Sequence, residues 1–372
     1  MIPTVIDLFA GAGGLSLGAA RAGFRLAGAV ELDPFAFHTH SRNFPNAVHL
    51  NTSVASLSGA ELLLACGLRQ GELDGLIGGP PCQGFSSMGR REIADERNDL
   101  FGHFFRLVAE IQPAFYVAEN VPGILDPRYD SIRNAALQKL PASYISLPPI
   151  EVKADRYGAP TTRTRIFFIG FKPSRFKRDL LPTDFSPRQD VVEIFVKQAL
   201  AGLPERIDCR WQTEEAGWRK AQKYFDGEFH EKINSYLPLN IGELESVERF
   251  FSKDEVSGCQ GTRHSEEVKA RYKALKHGEV DKISKSVRLR PDGFCPTLRA
   301  GTGKDKGSYQ AVRPIHPSRA RVITPREAAR LQGFPDWFIF HSTKWHSFRQ
   351  IGNSVSPIVA EYMLDKVCAQ LV

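Results

Sequence analysis

The stretch Pro3-Thr-Val-Ile-Asp-Leu-Phe-Ala-Gly-Ala-Gly-Gly-Leu-Ser-Leu-Gly-Ala-Ala-Arg-Ala-Gly-Phe24 sets the reading of the chain. A β-branched run closes at Asp7, glycines follow at Gly11, Gly13 and Gly14, and apolar residues then recur at helical spacing. This reads as a strand, a tight turn and a helix. Glycines in the turn let a ligand approach the backbone without meeting a Cβ. The spacing is not the dinucleotide GxGxxG, and a plain tight turn is the alternative reading of the glycines alone. The next run, Arg25-Leu-Ala-Gly-Ala-Val-Glu-Leu-Asp33, is a second strand ending in acids. Glu31 falls about 20 residues beyond the turn, where a carboxylate accepts hydrogen bonds from a ribose. Together the two signals point to a nucleoside-bearing cofactor in the first half of a sheet.

Working outward, Pro34 opens a helix to about Arg42, a third strand is expected over Ala47–Leu50, and a helix over Gly59–Cys66. Leu73-Asp-Gly-Leu-Ile77 is a short apolar run that runs into Gly78-Gly-Pro-Pro-Cys-Gln-Gly-Phe-Ser-Ser87, where glycines and prolines end regular structure. A cysteine on such a turn, at the carboxyl end of a strand, suits a nucleophile facing a cleft. A small buried hydrophobe is the bland reading of Cys82. Residues 88–98 are polar, lack apolar periodicity and read as a lid, with Arg90, Arg91 and Arg97 able to meet phosphates or simply to face solvent. Leu100–Ile111 is helical, and Ala114-Phe-Tyr-Val-Ala118 is a fifth strand that carries Glu119-Asn-Val121 to the edge where Cys82 sits. A thiol and a carboxylate on adjacent strand ends make a candidate reaction centre; alone, Glu119 would read as a strand terminus. Tyr144–Val152 reads as a further strand. Arg163 and Arg165 precede the apolar run Ile166–Phe171, and their i, i+2 spacing aims them the same way, so that one could reach the cleft; ordinary surface arginines are the equal alternative.

Composition narrows the partners. The 372 residues suffice for two domains. No apolar run approaches the roughly 20 residues of a membrane span, and no signal-peptide pattern opens the chain. The six cysteines are scattered without a CxxC pair, which argues for reduced thiols and against zinc or a disulfide framework. A net charge of +7 and a pI near 9.1 suit a polyanionic partner. After Lys172 the chain turns polar and irregular. Residues 263–313 hold thirteen Lys and Arg against six Asp and Glu, with Tyr272, Phe294, Tyr309 and the glycine-rich 299–307 among them. That module fits phosphate contact and groove reading, though a solvated face is the common reading of a charge run. Thr324-Pro-Arg-Glu327 opens a capped helix that Gly333 stops, and Gln350-Ile-Gly-Asn-Ser354 leads into a closing helix over Ile358–Leu371.

In this order the pieces resemble the DNA (cytosine-5) methyltransferases, in particular the single-chain enzymes of bacterial restriction–modification systems. The matching residues are Asp7–Gly14, Glu31, Gly79-Pro-Pro-Cys-Gln-Gly-Phe-Ser86, Glu119-Asn-Val121, Arg163-x-Arg165, the Thr324–Pro335 helix and Gln350-x-Gly-Asn-Ser354. The resemblance implies an α/β fold: a doubly wound, mostly parallel sheet of the S-adenosylmethionine-dependent methyltransferase type, with a smaller, irregular DNA-recognition domain. The expected division is 1–172 catalytic and cofactor-binding, 173–312 target recognition, and 313–372 returning to the catalytic domain. Two departures stand out. Ser53 occupies the place of the acid that usually accepts from the adenine amino group, and Thr161 the place of a frequent glutamine.

The same resemblance assigns roles. Cys82 adds to C6 of cytosine, Glu119 stabilises N3, and Arg165, with Arg163 beside it, holds O2. S-adenosylmethionine, leaving as S-adenosylhomocysteine, lies over Gly11, Ala12 and Gly14. Phe9 packs on it, Glu31 binds its ribose, and Leu32, Ser53, Pro80 and Leu100 line the pocket. Asn353 and Ser354 close the methionine end, and no metal is required. The implied partner is double-stranded DNA, met by a cytoplasmic, nucleoid-associated monomer; a cognate restriction endonuclease encoded nearby, without stable association, is compatible with this. An RNA methyltransferase with the same core, a non-catalytic DNA-binding regulator and a nicotinamide oxidoreductase are the rival readings.

Overall fold

Strand β1 (Thr4–Leu8) is buried along its whole length, with Val5 on one face and Ile6 and Leu8 on the other. A strand apolar on both faces must be covered on both sides, which calls for a sheet sandwiched between helices. The computed structural model describes residues 2–81, 99–207, 216–222, 227–301 and 312–372. Cys82, the 83–98 loop and most of the glycine-rich 299–307 stretch lie outside the described residues.

After β1 come α1 (Gly14–Arg21), β2 (Arg25–Val30), α2 (Pro34–Asn43), β3 (Val48–Leu50), α3 (Gly59–Ala65) and β4 (Gly75–Gly78). Then follow α4 (Asp99–Ile111), β5 (Phe115–Asn120), α5 (Asp130–Leu137), β6 (Ile145–Ser146), β7 (Ile150–Lys153) and β8 (Thr164–Phe171). The strand order is β3-β2-β1-β4-β5-β8, with β6 and β7 both pairing to β8. Strands β1 to β5 are parallel to their neighbours, whereas β8 runs antiparallel to β5. The chain winds outward from β1 in one direction and from β4 in the other. A crevice therefore opens beyond their carboxyl ends, the usual ligand site of such sheets.

The single strand expected over Tyr144–Val152 is corrected to two short pieces. Leu147 still donates to Ile169, but Pro148 and Pro149 have no N–H to give β8, so the ladder breaks between β6 and β7. Elsewhere the expected elements lie within a few residues of the observed ones.

Each face of the sheet has its own core. Ile6, Leu76, Tyr116 and Phe168 meet Phe101, Phe104, Phe105 and Val108 of α4 on one side. Val5, Ile77, Val117 and Phe167 meet Leu15 and Leu17 of α1 on the other. The second cluster continues into the later chain, which forms α6 (Val196–Leu200), the ribbon β9 (Arg219–Lys220) and β10 (Glu255–Val256), α7 (Glu228–Asn234), α8 (Leu244–Lys253) and α9 (Glu266–Ala274). Helix α10 (Pro325–Leu331) carries the capping box read from the sequence: Glu327 N donates to Thr324 Oγ1 at 3.2 Å, and Thr324 N to Glu327 Oε2 at 2.7 Å. Two helices close the chain, α11 (Lys344–Asn353) and α12 (Pro357–Gln370), the latter packed against α1.

Phe104 is wholly buried and meets Phe105 and Tyr116 edge to face. Phe104→Ala is expected to cost about 3–5 kcal/mol through lost burial and a cavity under β4 and β5. Urea unfolding of the two proteins measures it.

Candidate active site

The glycine turn after β1 is shaped by sterics. Gly13, at φ +103°, precedes α1, and a Cβ there would lie 2.3 Å from the Phe44 ring. Gly11 takes φ +57°, and the space its Cβ would fill is open for 4 Å. Phe9 also adopts a positive φ of 57°, a strained conformation for an aromatic residue, of the kind that collects at ligand sites. Ala12 is buried beneath the turn, and Gly14 rests on Ser354 Cβ and the Val355 carbonyl.

Glu31 ends β2 facing this turn. Its Oε2 accepts from Gly11 N at 2.8 Å and its Oε1 from Asp33 N at 2.7 Å. Burial pushes its pKa up, while those two donors favour the carboxylate. Next to it Leu32 is 64% exposed, an apolar surface left bare beside a half-buried acid. Asn51, absent from the sequence assignment, holds this corner by donating from Nδ2 to the Glu31 and Leu32 carbonyls at 2.8 and 3.1 Å. Ser53 turns inward on its own segment, its Oγ accepting from Ala55 N at 3.2 Å. Leu100, at the start of α4, is half-buried.

The candidate reaction centre read from the sequence falls where β4, β5 and β8 meet. Glu119 lies opposite Phe167 in the antiparallel ladder, so Arg165 is its diagonal neighbour on the same face. Arg165 Nε lies 2.6 Å from Glu119 Oε1, and both side chains are nearly buried. The turn that leads to Cys82 sits directly over this pair. A Cβ on Gly79 would be 3.2 Å from Glu119 Oε2, and Asn120 Nδ2 donates to the buried Pro80's carbonyl at 3.4 Å.

Arg163 and Arg165 line one small cavity with Val152, Ala154, Val355, Ser356 and Val359, yet their guanidinium groups take different partners. Arg163 donates to the carbonyls of Gly352 at 2.8 Å and Asn353 at 3.3 Å, away from Glu119. Burial, with Arg165 adjacent, holds its pKa well below the usual guanidinium range. Asn353 is exposed, and Ser354 is buried, donating from Oγ to Gln350 O at 2.7 Å. Thr161 is buried at the segment joining β7 to β8, paired through the backbone with Cys295.

A largely buried polar relay that no local sequence pattern announces runs under the turn. Ser16 Oγ donates to Asp7 Oδ2 at 2.5 Å and lies 2.9 Å from His40 Nε2, and His40 Nδ1 lies 2.8 Å from His49 Nε2. Among the described residues no cation pairs with Asp7, and burial pushes its pKa to about 7. The four residues come from four elements, so no local spacing announces them.

A slim glycine turn braced by an acid at the switch point of a doubly wound sheet, flanked by a paired carboxylate and arginine, is the arrangement of a methyltransferase of the S-adenosylmethionine-dependent fold. The chain belongs to the C-5 cytosine-specific DNA methylases, whose family model matches residues 3–369. It is similar to the type II methyltransferase M.XorII of Xanthomonas oryzae pv. oryzae, 37% identical over 96% of this chain and 82% of the relative. Similarity to the type II methyltransferase M.DdeI of Desulfomicrobium norvegicum is 32% over 98% and 88%. Among solved structures, a prophage-encoded candidate DNA modification methyltransferase (E. coli) superposes with a TM-score of 0.88 at 52% identity, covering 98% of both chains. The Dnmt2 methyltransferase of S. pombe shares the fold at a TM-score of 0.61 and 17% identity, covering 98% of this chain and 97% of that one.

Because Asp7 is more basic when folded, the native state binds more protons than the unfolded chain between about pH 4 and 7. Its contribution to stability is present at the acid end of that window and is lost as pH rises through about 7. Asp7→Asn, which mimics the neutral acid, is expected to lose less stability than the parent between pH 5 and pH 8. Urea midpoints at the two pH values test this, and equal losses would contradict it.

Proposed function

We propose that the chain transfers a methyl group from S-adenosylmethionine to C5 of a flipped-out cytosine in a specific duplex DNA sequence, as the modification enzyme of a restriction–modification system. The observation that carries this reading is the Glu119–Arg165 ion pair at the mouth of the turn leading to Cys82, on the cleft that Glu31 and the glycine turn also face. The open side of Gly11, the strained Phe9, the acid Glu31 and the bare Leu32 fit a nucleoside with its ribose on the carboxylate and its base on the leucine. Pro80, Leu100, Asn353 and Ser354 would complete the pocket. Bound there, S-adenosylmethionine supplies an electrophilic methyl carbon.

C5 of an intact cytosine ring is a poor nucleophile. The Cys82 thiolate bonds to C6, the C5–C6 π electrons shift toward N3 and O2, and C5 becomes enamine-like. Glu119 gives a proton or a hydrogen bond at N3, and Arg165 offsets the charge that grows on O2. Arg165 also keeps Glu119 paired until the base arrives, since a nearly buried carboxylate without a partner is costly. After methylation the C5 proton leaves to water, the Cys82–C6 bond breaks, and aromaticity returns. The target base is stacked in the duplex, so it must swing out at a cost of a few kcal/mol. The 83–98 loop and the basic module over 263–313 are suited to fill the gap and grip the backbone, with sequence read in the major groove by side chains within 173–312.

Bisulfite sequencing of DNA from expressing cells is expected to reveal methylcytosine at one recurrent sequence. Methyl transfer to tRNA but not to duplex DNA would favour the RNA-modifying alternative. On the identified site, Cys82→Ala is expected to abolish transfer and to leave no covalent adduct with a 5-fluorocytosine duplex, while DNA and cofactor binding persist. Glu119→Gln is expected to slow single-turnover transfer by about 10²–10⁴-fold. A parent-like rate in either variant would remove its assigned role.

A further inference from the structure

Arg163 shares a cavity with Arg165, yet its hydrogen bonds leave the reaction side altogether. Its two donors reach carbonyls 189 and 190 residues away, at the last two residues of α11. A ten-residue helix ends there with unsatisfied carbonyls and the negative end of its dipole, and a buried guanidinium satisfies both. What α11 carries is the cofactor side of the molecule. Gln350 Nε2 donates to Phe35 O and to Thr39 Oγ1, both at 3.0 Å, which ties α11 to the helix that begins just after Glu31 and Leu32. Ser354 Oγ donates back to Gln350 O, Gln332 Nε2 donates to Ser354 O at 2.8 Å, and Gly14 of the glycine turn rests on Ser354. The end of α11 is also fixed from outside, because a Cβ on Gly352 would lie 2.7 Å from Ala300 N and 2.8 Å from the Arg299 carbonyl carbon. That outer segment is itself stitched to the start of β8: Cys295 N donates to Pro160 O at 2.9 Å, and Thr162 N to Cys295 O at 3.0 Å.

We infer that Arg163 is a positioning residue for the cofactor pocket rather than a contact to the base. By capping the end of α11 it seats Asn353–Ser354 against the glycine turn, and it does so from the residue just before the strand that aims Arg165 at Glu119. One buried side chain thus sets the cofactor side and the base side relative to each other. Gly352 has a matching duty, since only a residue without a side chain lets the helix end lie flat on the Arg299–Ala300 backbone within reach of Arg163. The inference rests on the methyl-transfer reading above and deepens it at one residue.

The test is the affinity of the full-length protein for S-adenosylhomocysteine without DNA, read by titration calorimetry, beside the KM for S-adenosylmethionine and kcat on the identified duplex. Arg163→Met is expected to weaken S-adenosylhomocysteine binding by about tenfold or more, with KM rising in step. Arg163→Lys, which keeps the charge but not the two-pronged geometry, is expected to fall between parent and Met. Gly352→Ala leaves every charge in place and is expected to weaken binding similarly, which decides the matter if Arg163→Met does not fold. Arg165→Lys, by contrast, is expected to depress kcat with the S-adenosylhomocysteine affinity unchanged. Affinity within twofold of the parent in both Arg163→Lys and Gly352→Ala would overturn the inference. A parent protein that binds no S-adenosylhomocysteine would instead overturn the cofactor reading beneath it.

Discussion

Antiparallel pairing of β8 on β5 is the constraint on which the site depends. Five strands of the sheet run parallel, and a sixth parallel strand at this edge would deliver its carboxyl end to the cleft. The reversed strand delivers its amino-terminal end instead, and with it Arg165, whose guanidinium reaches diagonally across to Glu119 at 2.6 Å. A nearly buried carboxylate is tolerable only with a partner, and a nearly buried guanidinium needs one as much. The register of one strand pair thus decides whether the acid finds its partner beside the Gly79–Pro80 turn.

The rest of the site follows from where the winding reverses. Turns after β1 and β4 open into one crevice because the chain leaves the sheet centre in opposite directions from those two strands. One turn is kept slim by glycine and braced by Glu31; the other lies on Glu119 and is tied to Asn120 through Pro80. The two stations stay in fixed relation because both strands sit in a core packed on each face, by α4 on one side and by α1 with α12 on the other. The chain's later part does not hang from this unit. Many of its buried apolar residues, among them Phe176, Phe229, Phe250 and Trp337, belong to the same cluster as α1, so these segments beyond β8 are braced by the core that braces the glycine turn, while Tyr272, Ile315 and Val322 form a small cluster of their own.

Much of this was legible in the residues. The strand–turn–helix at 3–24, the acid at Glu31, the capping box at Thr324–Glu327 and the apolar run before the cysteine each announce themselves through short-range physics. That physics consists of β-branched sterics, glycine at positive φ, side-chain caps on helix ends and proline without a donor. The expected strand over Tyr144–Val152 departs from the structure for a reason of the same kind, two consecutive prolines whose missing N–H groups break the ladder on β8. Even the adjacency of Glu119 and the Cys82 turn follows from strand order, once the sheet is recognised as doubly wound.

Sequence alone determined the order of the elements, the family and the candidate residues for the cleft, because those are recorded in local patterns a few residues long. Only the tertiary structure decided which partner each side chain found. Arg163 and Arg165 look equivalent in sequence, two residues apart. One spans 189 residues to cap a distant helix, and the other turns to the acid on the next strand. Asp7, Ser16, His40 and His49 likewise become one relay only when β1, α1, α2 and β3 are packed together. Hydrogen bonds over such separations leave no periodicity behind. They are chosen by burial, which forces each polar atom in a closed core to take whatever donor or acceptor the packing brings within reach.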